Sequence, residues 1–97
     1  MNLVQMQHNA PRAVSTLKAM ANERRLQILC LLYEREYAVG ELCGCLDLSQ
    51  SALSQHLAWL RKEQIVITRK EAQTVFYSLA SEEVKQIMNL LHTLYCE

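Results

Sequence analysis

Residues 49–66 read SQSALSQHLAWLRKEQIV. Leu53, Leu57 and Leu60 stand at i, i+4 and i+7, the spacing that gathers side chains on one face of an α-helix, and Ser49 is the residue type that caps a helix start. The opposite face carries Gln50, Ser51, Ser54, Gln55 and Ala58. These side chains are short or amide-tipped, can both donate and accept hydrogen bonds, and leave the helix slim enough to enter a groove. A face of that kind is uncommitted to the core and available to a partner.

The flanking segments decide what sort of helix this is. Upstream, REYAVGELCGCLDL supplies Val39, Leu42 and Leu46 for a short third helix, joined to the fourth by a tight polar turn. Downstream of Gln64 the apolar period changes to two. IVITR and TVFYSL are rich in β-branched and aromatic residues and flank the polar tetrad Lys70, Glu71, Ala72, Gln73, which predicts a β-hairpin with a charged tip. Two helices joined by a tight turn, with a hairpin beside the second, form a helix-turn-helix with a wing.

The rest of the chain supplies support. Val14, Leu17, Met20 and Ala21 recur at helical spacing after Pro11, so a first helix is expected from about Arg12. Asn22 is a suitable N-cap for a second helix, whose run Leu26, Ile28, Leu29, Cys30, Leu31, Leu32 is dense enough to be the buried centre. Ser81 caps a last helix with the stripe Val84, Ile87, Met88, Leu91, Leu94, Tyr95. The expected fold is mainly α with a small β-hairpin: a winged helix-turn-helix of five helices and a two-stranded wing, one domain over residues 1–97. No repeat, linker or low-complexity segment interrupts it.

Composition bounds the function. Ninety-seven residues make one small domain, which buries a modest share of its unfolded surface, so the apolar stripe on the last helix calls for a partner. With 51% hydrophobic residues, two Gly and one Pro, the chain reads as helical, and no apolar run approaches the roughly 18 residues of a membrane span. The start, MNLVQMQHNAP, lacks the features of a secretory signal, so a cytoplasmic, nucleoid-associated location with reduced cysteines is expected. Ten basic residues balance ten acidic ones. The balance is uneven along the chain: Arg61, Lys62, Arg69 and Lys70 make the middle mildly basic, and Glu82 and Glu83 make the last segment acidic. No nucleophile paired with a base, Gly-rich phosphate loop or carboxylate pair points to an enzyme, and no cofactor motif appears.

A helix entering the DNA major groove needs side chains that pair with base edges, and Gln50, Ser51, Ser54 and Gln55 fit that role. Gln can pair bidentately with adenine, and Ser can contact a base or clamp a phosphate. His56 and Arg61 are expected to add phosphate contacts, and Lys70 and Gln73 at the wing tip to reach the neighbouring minor groove or backbone.

The segments ANERRLQILCLL, LDLSQSALSQHLAWLRKE and TRKEAQTVFYSL resemble the ArsR/SmtB family of small winged-helix transcription regulators, over residues 13–96. The resemblance implies a homodimer built from the first and last helices, with an interface through Val14, Leu17, Ile87, Leu91 and Leu94. It also implies two recognition helices entering successive major grooves of an operator. Within the family the likeness is strongest to thiol sensors of oxidants and reactive sulfur species, which place two cysteines where Cys30 and Cys96 stand. It further implies a virulence-gene regulator that activates by displacing a nucleoid silencing protein.

Two other readings stand beside this one. ELCGC, residues 41–45, matches the cysteine box of the family's arsenic sensors, so Cys43 and Cys45 are an alternative soft-metal or arsenite site. On a regular helix they lie about 200° apart, and joint ligation would require unwinding, which Gly44 eases. The paired ligands of a last-helix zinc site are missing around His92. The third reading, from the neutral net charge, is a protein interaction module without DNA binding.

Overall fold

Helices begin in this chain where a short polar side chain serves the N–H groups that a first turn leaves unpaired. The computed structural model describes residues 1–96. Asn2 accepts from the Gln5 N–H and opens α1 (Leu3–Met20), and Asn22 accepts from Arg24 and Arg25 to open α2 (Glu23–Glu34). Ser49 accepts from Ala52 at the start of α4 (Gln50–Lys62), and Ser81 from Val84 at the start of α5 (Glu82–Tyr95). Between α2 and α4 lie β1 (Tyr37–Ala38) and α3 (Val39–Cys45), where Ala38 cannot cap. There the Glu41 carboxylate accepts the Ala38 N–H at 2.9 Å, and that bond, with Arg35 second, holds its carboxyl below the usual range.

The first helix starts at Leu3 and passes through Pro11, so the start expected near Arg12 is corrected. Proline removes one backbone donor, but the carbonyl it leaves belongs to Gln7, on a turn fully open to water. The cap at Asn2 sets the boundary instead.

At the end of α4 the Ile65 N–H donates to the Leu60 carbonyl and the Gln64 N–H to that of Arg61. Gln64 takes φ 60°, the left-handed conformation that such a helix stop requires. The chain thereby reverses into β2 (Val66–Glu71), with Ile65 and Val66 buried. β2 pairs antiparallel with β3 (Thr74–Leu79) from Val66↔Leu79 to Glu71↔Thr74. Lys70 and Glu71, expected in the hairpin tip, are strand residues, and the turn is Ala72–Gln73 alone, with Ala72 at φ 56°. Strand β1 adds to the far side of β3 through Tyr37↔Tyr77 and Ala38↔Phe76, giving the order β1-β3-β2.

One core joins all five helices to the sheet. Ile28, Leu29, Leu42, Leu53, Leu57, Leu60 and Val84 are at most 1% exposed, and Ala19, Met20, Tyr37, Leu79 and Met88 complete it. The second helix is central, as its apolar density implies, but only along one face: Cys30 lies on the exposed side. No helix among the described residues is long and apolar enough to cross a membrane.

Candidate nucleic-acid interface and thiol groove

The leucines of α4 point into the core and leave the other face bare. Gln50, Ser51, Ser54, Gln55 and Ala58 are all exposed, and the Ser51 hydroxyl stands 3.3 Å from that of Ser49. The structure thus brings the four expected base-reading residues onto one open surface. His56 sits at its margin, half-buried, and its pKa is lowered by that burial and by Arg25 and Arg24. That lowering favours the neutral imidazole. Arg61 is exposed in the last turn of α4, as is Lys62 beside it.

The wing presents Lys70 and Gln73 in the open. Neither Arg61, Lys62 nor Lys70 forms an ion pair among the described residues. Arg69 differs. Its guanidinium bridges Glu36 at 2.5 Å and Glu71 at 2.7 Å and lies 4.4 Å from the centroid of Phe76. These carboxylates raise its pKa, and its bonds lower that of Glu36. The basic middle of the chain is accordingly one charge weaker toward DNA than its sequence suggests, and the wing is tied to the corner before β1.

Arg25 anchors α4. It is 5% exposed, donates through Nε to the Ala19 carbonyl and through Nη2 to that of Lys18, and stacks 3.9 Å from the centroid of Trp59. One side chain thus ties the end of α1 and the body of α2 to the outer side of α4. Sequence reasoning missed it, although a signal was there: Arg25, Ile28, Leu29 and Leu32 share one helical face.

Cys30 from α2 and Cys96, the C-cap of α5, line one groove of about 320 Å³. Leu26, Met88, Leu91, Tyr33 and Tyr95 supply most of its wall, and His92 and Glu34 its polar edge. Both thiols are free and exposed. Cys43, in contrast, is half-buried against the core while Cys45 faces solvent, and α3 stays helical through both. Among the described residues no three His, Cys, Asp or Glu side chains cluster to hold a metal ion.

On the other side of α5, Ile87, Leu90 and Leu94 stand at i, i+3 and i+7. Leu90 and Leu94 are 56% and 61% exposed, and the adjoining α1 exposes Val14 and Leu17. Arg12 pairs with Glu83 at 2.5 Å where the two helices meet. Leu91, expected in this surface, is half-buried against the core and also lines the groove, and Leu90 beside it is exposed like Leu94.

Comparison with known proteins gives the arrangement its relatives. A family model described as "Bacterial regulatory protein, arsR family" matches residues 22–68, from the cap of α2 into β2. Over all 97 residues the chain is 66% identical to the transcriptional activator HlyU of Vibrio cholerae, covering 90% of that protein. The structure of reduced HlyU from Vibrio cholerae N16961 gives a TM-score of 0.91 over 96% of this chain and 98% of that one. The transcriptional repressor BigR of Xylella fastidiosa gives 0.91 at 35% identity, covering 100% of this chain and 99% of that one. The homodimeric winged helix-turn-helix DNA-binding domain Mb0332 of Mycobacterium bovis gives 0.83 at 29% identity, over 96% and 86%. These relatives are regulators rather than enzymes. With the matched segment spanning the helix-turn-helix, and identity to a bacterial transcriptional regulator running the whole length, the chain belongs to the arsR family of bacterial regulatory proteins.

Proposed function

We propose that this chain is a single-domain, homodimeric DNA-binding transcriptional regulator whose affinity for its operator follows the thiol state of Cys30 and Cys96. The observation that carries the DNA-binding reading is the open face of Gln50, Ser51, Ser54 and Gln55, backed by three buried leucines and flanked by a wing whose exposed Lys70 forms no ion pair among the described residues. The base-reading helix supplies specificity, and Arg61, Lys70 and Gln73 supply backbone contacts. Dimerisation through Val14, Leu17, Ile87, Leu91 and Leu94, with the exposed Leu90 beside them, sets the two recognition helices one DNA turn, roughly 34 Å, apart.

The shared groove supports the switch. A ligand or modification moves an equilibrium only by interacting differently with its states. A bridge between α2 and α5 would act on both the helix behind the helix-turn-helix and the helix that sets the dimer. Oxidants and reactive sulfur species thereby change the recognition-helix spacing and release the operator. Similarity to an activator and a repressor on one fold fits activation by displacement, in which the dimer removes a nucleoid silencing protein from virulence genes while binding as a repressor would. The protein acts in the cytoplasm, on the nucleoid.

The test is a gel shift on the operator and on random DNA. Gln55→Ala should cost about 1 to 3 kcal/mol on the operator and little on random DNA, whereas Lys70→Ala should weaken both and lower the salt slope by about one. Oxidant should lower operator affinity at least about tenfold, Cys30→Ser or Cys96→Ser should abolish that response, and Cys43→Ser with Cys45→Ser should retain it. Equal loss on both DNAs for Gln55→Ala would defeat the base-reading role. A response lost only in the Cys43 and Cys45 double variant would move the switch to that pair.

A further inference from the structure

We infer that Arg24, at the start of α2, and His56, on the flank of α4, grip one DNA backbone phosphate together, and that the imidazole takes up a proton when they do. This rests on the DNA-binding reading above and adds to it a contact residue outside the helix-turn-helix and a dependence of affinity on pH.

The geometry comes from the docking of α2 on α4. Ala52, His56 and Trp59 stand at i, i+4 and i+7 and share one flank of α4, beside the open face of Ser51 and Gln55. The Arg25 guanidinium, 3.9 Å from the Trp59 centroid, brings the first turn of α2 against that flank. Arg24 precedes it, half-buried, and forms no ion pair among the described residues. Its guanidinium reaches only the neutral Gln27, at 3.4 Å, a long contact that offsets none of its charge. His56 has no hydrogen-bond partner among the described residues, yet no buried side-chain nitrogen there goes unpaired, so its ring nitrogens reach solvent. A helix lying in the major groove has a phosphate backbone along each flank, and this flank offers it a free cation and a free imidazole. The amides of Arg24 and Arg25 are taken by the Asn22 side chain, so the grip falls to side chains.

Charge supplies the proton linkage. In the free protein, burial first and then Arg25 and Arg24 favour the neutral imidazole. Both charged groups that act on the ring come from α2, and no carboxylate among the described residues offsets them. Arg25 is occupied by the Ala19 and Lys18 carbonyls, which leaves Arg24 to meet a ligand. A phosphate seated between Arg24 and His56 reverses the balance: its negative charge favours the imidazolium, which then donates a charge-assisted hydrogen bond. Where the bound state holds more protons than the free state, binding tightens as pH falls.

The experiment measures binding of the full chain, kept reduced, to a random-sequence duplex of about three helical turns, which suffices because a backbone contact is blind to sequence. Affinity is read by fluorescence anisotropy over a salt series at about pH 6 and about pH 8. The unsubstituted chain should bind at least about threefold tighter at the lower pH, and His56→Gln should erase that gain. Arg24→Gln should lower the salt slope by about one per subunit, and Arg24→Lys should restore it. Combining Arg24→Gln with His56→Gln should lose less than the product of the two single losses, because each already loosens the shared phosphate. Both side chains are half-exposed and bond to no other element, so the variants keep the fold, which urea unfolding checks. A pH gain that survives His56→Gln, a salt slope untouched by Arg24→Gln, or independent losses in the double variant would overturn the shared grip and leave the DNA-binding reading standing. No binding of the unsubstituted chain to the duplex at low salt would overturn both.

Discussion

Replacing Arg25 by lysine keeps a positive charge in the interior but removes the fork that joins three helices, and its cost can be worked out from the contacts. The guanidinium makes two hydrogen bonds to backbone carbonyls, at 2.5 Å to Ala19 and 3.2 Å to Lys18, and stacks on Trp59. A hydrogen bond involving a charged group contributes about 1.5 to 3 kcal/mol net, and stacking on a half-exposed ring about 0.5 to 1 kcal/mol. An ammonium can reach one carbonyl, so Arg25→Lys should lose one bond and most of the stacking, about 2 to 4 kcal/mol. Arg25→Ala should lose the whole set and leave two carbonyls without donors, about 3.5 to 7 kcal/mol. Urea unfolding at one fixed protein concentration measures both, since dimerisation makes the midpoint concentration-dependent. Because Trp59 lies on α4, operator affinity should fall with both variants even below the unfolding transition. An Arg25→Lys variant as stable as the wild type, within about 0.5 kcal/mol, would refute the argument that the planar fork matters rather than the charge.

Leu90→Glu or Leu94→Glu should yield monomers with little operator binding, measured by sedimentation; a stable dimer of either would show that another surface carries assembly. His56 has a lowered folded pKa, so the unfolded chain takes up more protons near pH 6.5 and below; stability should fall as pH drops under about 6.5, and His56→Gln should flatten that slope in pH-dependent unfolding. Gln64 pays for its left-handed backbone in strain, so Gln64→Gly should raise stability by up to about 1 kcal/mol in the same assay, with loss of stability refuting that assignment.

Much of the fold was legible because it is written in short-range chemistry. The caps at Asn22, Ser49 and Ser81, the leucine spacing of α4 and the switch to period two after Gln64 each depend on residues a few positions apart. The start of α1 was misread because Pro11 is a strong local signal, and an N-terminal proline and a solvent-exposed interior proline look alike in sequence. Strand β1 escaped notice because two residues carry no period; it exists only as the partner of Tyr77 and Phe76.

The open polar face of α4 followed from sequence alone, since four polar side chains opposite three leucines at helical spacing are left on the outside. Which charges are free, and which apolar residues remain uncovered, did not. Arg69 counts as basic in any sum over the sequence, and only the pairing of β2 with β3 beside the α2–β1 corner brings Glu36, thirty-three residues away, against it. Leu90 and Leu91 are adjacent and chemically identical, yet one faces outward and the other borders the groove, a distinction set by how α5 is rotated against α2. Cys30 likewise reads as part of a buried apolar run, and its exposure beside Cys96 depends on the same packing. Local periodicity specifies which residues share a face; where that face points, and what stands opposite it, is fixed by contacts between elements distant in the chain.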